Sequence, residues 1–443
     1  MNKEHRQANF RWCPVAWLLC CRTMKHLLYL LMLTVAAGAA DWPRFRGPNG
    51  AGCGEAVGVP VPWTTNDYRF VVALPGVGHS SPVVVGQRLF VTCGENGSAK
   101  RIVLCLDAAT GKQLWQRDFE SKTFSQNGDN SYASATPAAD ASGVVIAWTT
   151  PDTVTLVALD NAGRDCWQRE LGKFVGIHGS GSSPLIVDDL VIYFNDQEDP
   201  AALPKSVYAK PGAPKSAGHS ALVAFERATG APRWQLERRT DQASYITPCV
   251  RRGSDGRAEI ILADTAHSFT AVDAVTGKVT WSAPGIFKER CVASPVLAGE
   301  LVIASEGRGN AGIRCVAVRP GAEPKVVFEI PKPAPLVTTP VVVGERLFFV
   351  TDQGAMACAN AATGVVLWRE QVSGNFYSSP VASDGRLFCV TKLGDVLVVA
   401  AGDQYELLAR VALGEKCFAT PAIAHGLLYF RTASHLFALG ARK

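Results

Sequence analysis

Eight side chains, His79, Tyr132, His178, Tyr245, Arg290, Tyr377, Lys416 and Phe418, combine aromatic rings with cationic or titratable groups at recurring positions in this sequence. His79, Tyr245, Tyr377 and Phe418 stand three residues before the proline of a repeated Ser/Thr-Pro step, Tyr132, Arg290 and Lys416 stand five before it, and His178 lies close by. Aromatic faces beside cations suit a small anionic or planar ligand, or a peptide, through stacking and charge-assisted hydrogen bonds. The competing reading is that these side chains only pack on one another. Catalytic machinery is not expected: there is no Ser-His-Asp order with a nucleophile elbow, no phosphate-cradling glycine loop and no paired-carboxylate motif. His267, His425 and His435 fall singly in or beside strand patterns and read as satisfied structural histidines. A metal centre is not expected either. No Cys-x-x-Cys occurs, and Cys105, Cys358 and Cys389 sit in apolar strand patterns as small buried hydrophobes.

The elements that would position these residues come from a repeat. Ser81-Pro82, Thr136-Pro137, Ser183-Pro184, Thr247-Pro248, Ser294-Pro295, Thr339-Pro340, Ser379-Pro380 and Thr420-Pro421 each lead into a strand, a turn and another strand. About 25 residues later a second signature follows, of the form Asp-x-x-Thr-Gly-x-x-x-Trp. It ends at Trp115, Trp167, Trp234, Trp281 and Trp368, and decays near residues 316–328 and 402–409. Alternating apolar residues mark half-buried strands, and the Asp and Gly make a hairpin turn. Trp fills the gap between neighbouring sheets, and proline suits the first residue of an inner strand. Four strands per repeat at this spacing is propeller geometry. The expectation is therefore an all-β, eight-bladed β-propeller of four-stranded antiparallel blades over residues 69–443. The last repeat has room for three strands only, so Arg69–Leu74 should supply its fourth and close the ring. A seven-bladed ring is the structural alternative, given the two decayed copies.

The Asp-x-x-Thr-Gly-x-x-x-Trp units resemble the pyrroloquinoline-quinone (PQQ) repeat superfamily. Within it, Asp41-Trp42-Pro43-Arg44-Phe45-Arg46-Gly47-Pro48-Asn49-Gly50 is similar to the opening of secreted propellers of planctomycete-type bacteria, as are Asn130–Ser134 and Gly179–Pro184. Two kinds of relative imply different functions. Quinone-dependent dehydrogenases hold PQQ beside calcium and an aspartate base, and many carry adjacent cysteines over the cofactor. Adjacent cysteines occur here only at Cys20-Cys21, in the leader, and Asp107, Asp160 and Asp273 belong to turns. The propeller lipoprotein of outer-membrane barrel assembly instead binds protein partners through its loops. The resemblance thus implies a non-catalytic binding scaffold with no cofactor. PQQ with calcium is expected only under the oxidoreductase alternative.

Charge and leader complete the reading. The net charge is +5, but Lys3, Arg6, Arg11, Arg22 and Lys25 against Glu4 place most of it in the first 40 residues. The remainder has no basic block, so a nucleic-acid footprint is excluded. Lys25, an apolar run over Leu27–Ala36 and small residues to Ala40 describe a signal peptide, with residues 1–23 read as an over-long gene start. The run is too short for a comfortable membrane span. A periplasmic or extracellular monomer with an envelope protein or peptide partner follows. Residues 41–68 form an N-terminal extension, and Asn195–His219 is a long insertion in the third repeat, functional or disordered.

Overall fold

The computed structural model describes residues 40–441, apart from 125, 151, 204–214 and 310. All of the expected leader but Ala40 lies outside them. The described strands form eight antiparallel four-stranded sheets, with only short 3-10 turns besides. Blades 1 to 7 span residues 83–119, 138–170, 185–238, 249–283, 296–334, 341–371 and 381–412. Blade 8 takes three strands from residues 422–439 and its fourth from Tyr68–Ala73, which pairs Val71 with Phe437 and Ala73 with His435. The closing strand thus runs one residue ahead of its expected position and buries the free edge of the last blade. Both decayed repeats still form complete outer strands, Lys325–Ala334 and Leu407–Ala412, which rules out seven blades. They keep the alternation that makes a strand and lose the turn chemistry and the Trp.

That turn chemistry joins neighbours. Asp107 Oδ1 accepts from the amides of Ala109 and Thr110 at 3.2 and 2.9 Å, and Gly111 takes φ +73°. A Trp indole then lies on the next blade's turn glycine: a Cβ at Gly230 would come within 2.6 Å of Trp167. Trp115, Trp167, Trp234 and Trp368 each donate Nε1–H to a backbone carbonyl of the following blade, at 2.9–3.1 Å. Trp281 faces the decayed turn of blade 5, and its Nε1 has no partner among the described residues. Phe328 replaces Trp in blade 5 and packs against Gly364. Trp167→Phe should therefore cost about 1 kcal/mol more than Trp281→Phe in chemical denaturation, because only the first orphans a carbonyl, that of Arg227.

The N-terminal extension stoppers one end of the axis. Trp42 exchanges both backbone bonds with Val84 at 2.7 and 2.9 Å, Pro43 accepts from Ala139 at 2.8 Å, and Asn49 exchanges two bonds with Val250 at 2.7 Å. Gly54 and Gly52 bond Ala382, and Val57 bonds Gly426. One segment thus touches blades 1, 2, 4, 7 and 8. Within it Arg44 and Arg46 are buried, at 6% and 0% exposure, and donate to carbonyls on the axis. Arg44 bonds Pro248, while Arg46 bonds Thr339, Pro340 and Pro380 at 3.2, 2.6 and 2.8 Å.

Candidate functional site

The Ser/Thr-Pro step does two things. Its proline precedes the innermost strand, and in six of the eight repeats its amide clasps the hydroxyl of the neighbouring step. The amide of Ser81 donates to Thr136 Oγ1 and that of Thr136 to Ser183 Oγ, both at 2.9 Å. The same link joins Thr247 to Ser294, Ser294 to Thr339, Thr339 to Ser379 and Ser379 to Thr420 at 2.9–3.0 Å. Two residues earlier in each repeat a second ring forms from His79, Ser134, Gly181, Tyr245, Val292, Val337, Tyr377 and Phe418. Both rings, with Phe45 from the stopper and Asp129, line an axial chamber of about 160 Å³.

This chamber shares Asp129, Gly181, Tyr245, Val292, Val337 and Tyr377 with an outer cavity of about 460 Å³. The outer cavity adds Ile177, His178, Leu203, Arg290, Arg308 and Leu336, among others, so its walls are mainly apolar. Together the two make a funnel. A cavity of this size and character suits the apolar part of a ligand with a few polar anchors.

Two clusters flank the neck. On one side His79 stacks on Phe418 at 4.4 Å, and Tyr377 meets the same ring edge-on at 5.9 Å. Lys392 Nζ lies 4.2 Å from the Tyr377 centroid and 2.8 Å from Asp129 Oδ2. Burial, and then the charges of Arg431 and Lys392, lower the His79 pKa to about 4. Burial, and then Asp129, push the Tyr377 hydroxyl up to about 12. On the other side His178 meets Tyr245 edge-on at 6.3 Å, and Arg290 bonds the Tyr245 hydroxyl at 3.3 Å. Burial and Arg290 lower the His178 pKa, while burial and Glu198 raise that of Tyr245. Both imidazoles thus favour the neutral form, leaving Arg290, Arg308 and Lys392 as the cations.

The insertion after Asn195 supports the second cluster. Glu198 is fully buried, takes Arg290 Nη2 at 2.5 Å and accepts from the Ile177 amide at 2.8 Å. Asp196 accepts from the Ser244 amide and hydroxyl at 2.8 and 2.9 Å, and burial, then Asp264, pushes its pKa up to about 7. Leu203 carries the insertion to the funnel wall, and residues 204–214 lie outside the described ones.

Six of the eight residues singled out in the sequence, His79, His178, Tyr245, Arg290, Tyr377 and Phe418, line the funnel. Tyr132 does not. It lies between Phe124 and Arg101, whose guanidinium is 4.9 Å from its ring, and its hydroxyl donates to the Phe124 carbonyl. Lys416 is exposed and lines neither cavity. His267, His425 and His435 face Asp264, Asp41 and Glu415 at 3.0–3.3 Å. Reasoning from the sequence missed Asp129, Lys392, Phe45 and the hydroxyl ring. Lys392 follows the second strand of blade 7, so registering that position across repeats would have exposed it. The ten described cysteines are free thiols, eight of them buried, including Cys105, Cys358 and Cys389.

A quinone beside calcium would need clustered carboxylate oxygens. Among the described residues no three His, Cys, Asp or Glu side chains gather as metal ligands, and Asp129 and Glu198 each face a cation. These side chains do not fit that pair of groups.

The chain is similar to known proteins at three levels. A family model described as outer membrane protein assembly factor BamB matches residues 61–206, 99–330 and 329–407. The outer membrane protein assembly factor BamB of Burkholderia pseudomallei (strain K96243) is 32% identical over 94 residues, 21% of this chain and 24% of that relative. The match therefore spans about a quarter of the relative's length. BamB from Moraxella catarrhalis superposes with a TM-score of 0.59 at 15% identity, over 84% of this chain and 97% of that one. Quinohemoprotein alcohol dehydrogenase from Comamonas testosteroni superposes with a TM-score of 0.61 at 11% identity, over 92% of this chain and 82% of that one. At those identities the two structures speak for the fold alone. With the family model matching most of the chain and eight PQQ-type blades closed by an N-terminal strand, this protein belongs to the BamB family of PQQ-like β-propellers.

Proposed function

We propose that this protein is an exported, non-catalytic scaffold of the cell envelope that holds a protein or peptide partner at its funnel mouth. The observation that carries the reading is the funnel itself, whose wide, mainly apolar outer part holds Arg290 and Arg308 and narrows onto aromatic rings and a ring of hydroxyls. Family membership supports a partner among envelope proteins, since the relatives are named as outer-membrane assembly factors. The basic, apolar and small-residue leader supports a periplasmic or extracellular location. No helix among the described residues is long and apolar enough to cross a membrane. Binding here requires no cofactor, since stacking and buried charge pairs supply the contacts.

The test is crosslinking capture from envelope fractions. His79→Ala/Tyr245→Ala/Arg290→Ala removes one side chain from the first cluster and two from the second. Loss of captured partners at least tenfold, with the fold retained, is the expected result, because buried aromatic and Arg anchors dominate such interfaces. Unchanged capture would overturn the reading.

A further inference from the structure

We infer that the axial chamber is a carboxylate site, and that the funnel takes a ligand with an apolar body and a terminal carboxylate group. The inference refines the mouth-binding reading and rests on it for the outer cavity only.

The chamber is lined by a complete ring of eight Ser or Thr side chains. Six of these hydroxyls accept a neighbour's amide, and none of the eight has an acceptor for its own proton among the described residues. Ser81 Oγ has no partner at all among them. Each of the eight hydroxyls therefore keeps a proton to give to a ligand, and hydroxyls that turn such protons onto a carboxylate bond it more strongly than a neutral group.

The charge beneath the ring has the same sign. Arg44 and Arg46 flank Phe45, which lines the chamber, and they bond carbonyls of residues in or next to the hydroxyl ring. No carboxylate lies within ion-pairing distance of either among the described residues. Burial lowers both pKa values to about 10, so both stay charged at neutral pH. Two buried cations paired only with carbonyls make a region where a negative charge is stabilised. Asp129 lines the chamber as well, but Lys392 sits 2.8 Å from it and offsets its charge.

Size and polarity decide the rest of the ligand. The inner chamber of about 160 Å³ admits a carboxylate and a few waters, and the outer cavity of about 460 Å³ has apolar walls. Val337 lies at the neck, lining both, so it reports on whatever passes between them.

The experiment titrates the full chain by calorimetry with 4-phenylbutyrate and with 4-phenylbutanol, which has the same apolar body without the charge. The acid should bind at least about tenfold more tightly, as charge-assisted hydrogen bonds require. Val337→Asp places a like charge at the neck and should weaken the acid at least about tenfold while sparing the alcohol. Val337→Asn, similar in shape but neutral, should stay within about threefold of the parent for both, so a loss confined to Val337→Asp is a charge effect. Equal binding of acid and alcohol, no binding of either, or equal effects of Asp and Asn would overturn the carboxylate site. A phenylalanine-ended tetrapeptide, with a free or an amidated C-terminus, separates the sources: preference for the free peptide acid points to a chain terminus, and preference for phenylbutyrate to a free organic acid. Partner capture and acid binding fail independently. Unchanged capture by the triple variant, with acid binding intact in the parent, would remove the scaffold reading and leave the site standing.

Discussion

Arg46→Met should destabilise the protein by about 3–5 kcal/mol, a larger cost than any exposed arginine here would produce. The guanidinium is fully buried and donates to five backbone carbonyls, those of Gly50, Ala51, Thr339, Pro340 and Pro380. Two of these lie in the stopper and three in blades 6 and 7, so the side chain ties the N-terminal segment to the ring. Methionine keeps most of the volume and removes every donor. The carbonyls of Gly50, Thr339, Pro340 and Pro380 would then be buried without this donor, a penalty that exceeds the small net gain of forming such bonds. Lysine cannot substitute, because one ammonium offers three donors at a point where the planar fork reaches two blades. Gly52 shows how closely the fit is made: a Cβ there would lie 2.4 Å from Arg46 Nη2. Arg164→Met, at a side chain 81% exposed, is the control and should cost less than about 0.5 kcal/mol. Urea denaturation of the three proteins decides the matter. A cost for Arg46→Met below about 1 kcal/mol would mean that water replaces the guanidinium and the stopper does not hold the ring.

What the sequence made visible follows from what a repeat can carry. The blade count, the closing strand and the inter-blade tryptophans each rest on residues that recur, so eight weak signals reinforce one another. The decayed copies at Phe328 and Leu407 stayed readable as strands because alternation survives the loss of a turn motif. Six of the funnel's residues were legible because position within a repeat fixes position around the axis. Tyr132 and Lys416 show the limit of that counting. Five residues before the proline the chain has left the ring, and there the connecting loop decides direction: the residue five before blade 5 turns inward as Arg290, while Tyr132 packs on Arg101. The stopper was invisible for a different reason. Asp41 to Gly50 occurs once, is polar and rich in glycine and proline, and reads as a surface segment unless the carbonyls it satisfies are seen. Asp129 and Lys392 meet across 263 residues, a pairing no local pattern predicts. Identity of the partner lies further out still, since fold and mouth geometry constrain chemistry and leave the name open.

Acid should weaken the wild-type protein more than a His79→Phe variant, by up to about 3 kcal/mol between pH 6.5 and pH 4. The sign follows from His79 having its pKa lowered to about 4 in the folded protein, against an ordinary value of 6.5. As pH falls through 6.5 the unfolded chain takes up a proton at this position, and the folded chain does not until about pH 4. The unfolded state thus binds more protons across that window, so folding stability declines as pH falls, and the decline levels off below about 4. Burial is the main cause, followed by Arg431, with Asp129 pulling the other way and Lys392 adding to the depression. Phenylalanine preserves the stacked contact with Phe418, which lies 4.4 Å away, and removes the titration. The measurement is the difference in unfolding free energy between the two proteins at a series of pH values, with the His79 Cε1 proton followed by NMR as a direct readout. A His79 resonance that titrates near 6.5, or parallel stability curves for the two proteins, would contradict a neutral ring at the neck. Such a ring is uncharged throughout the neutral range, so ligand binding at the neck should not follow His79 protonation there.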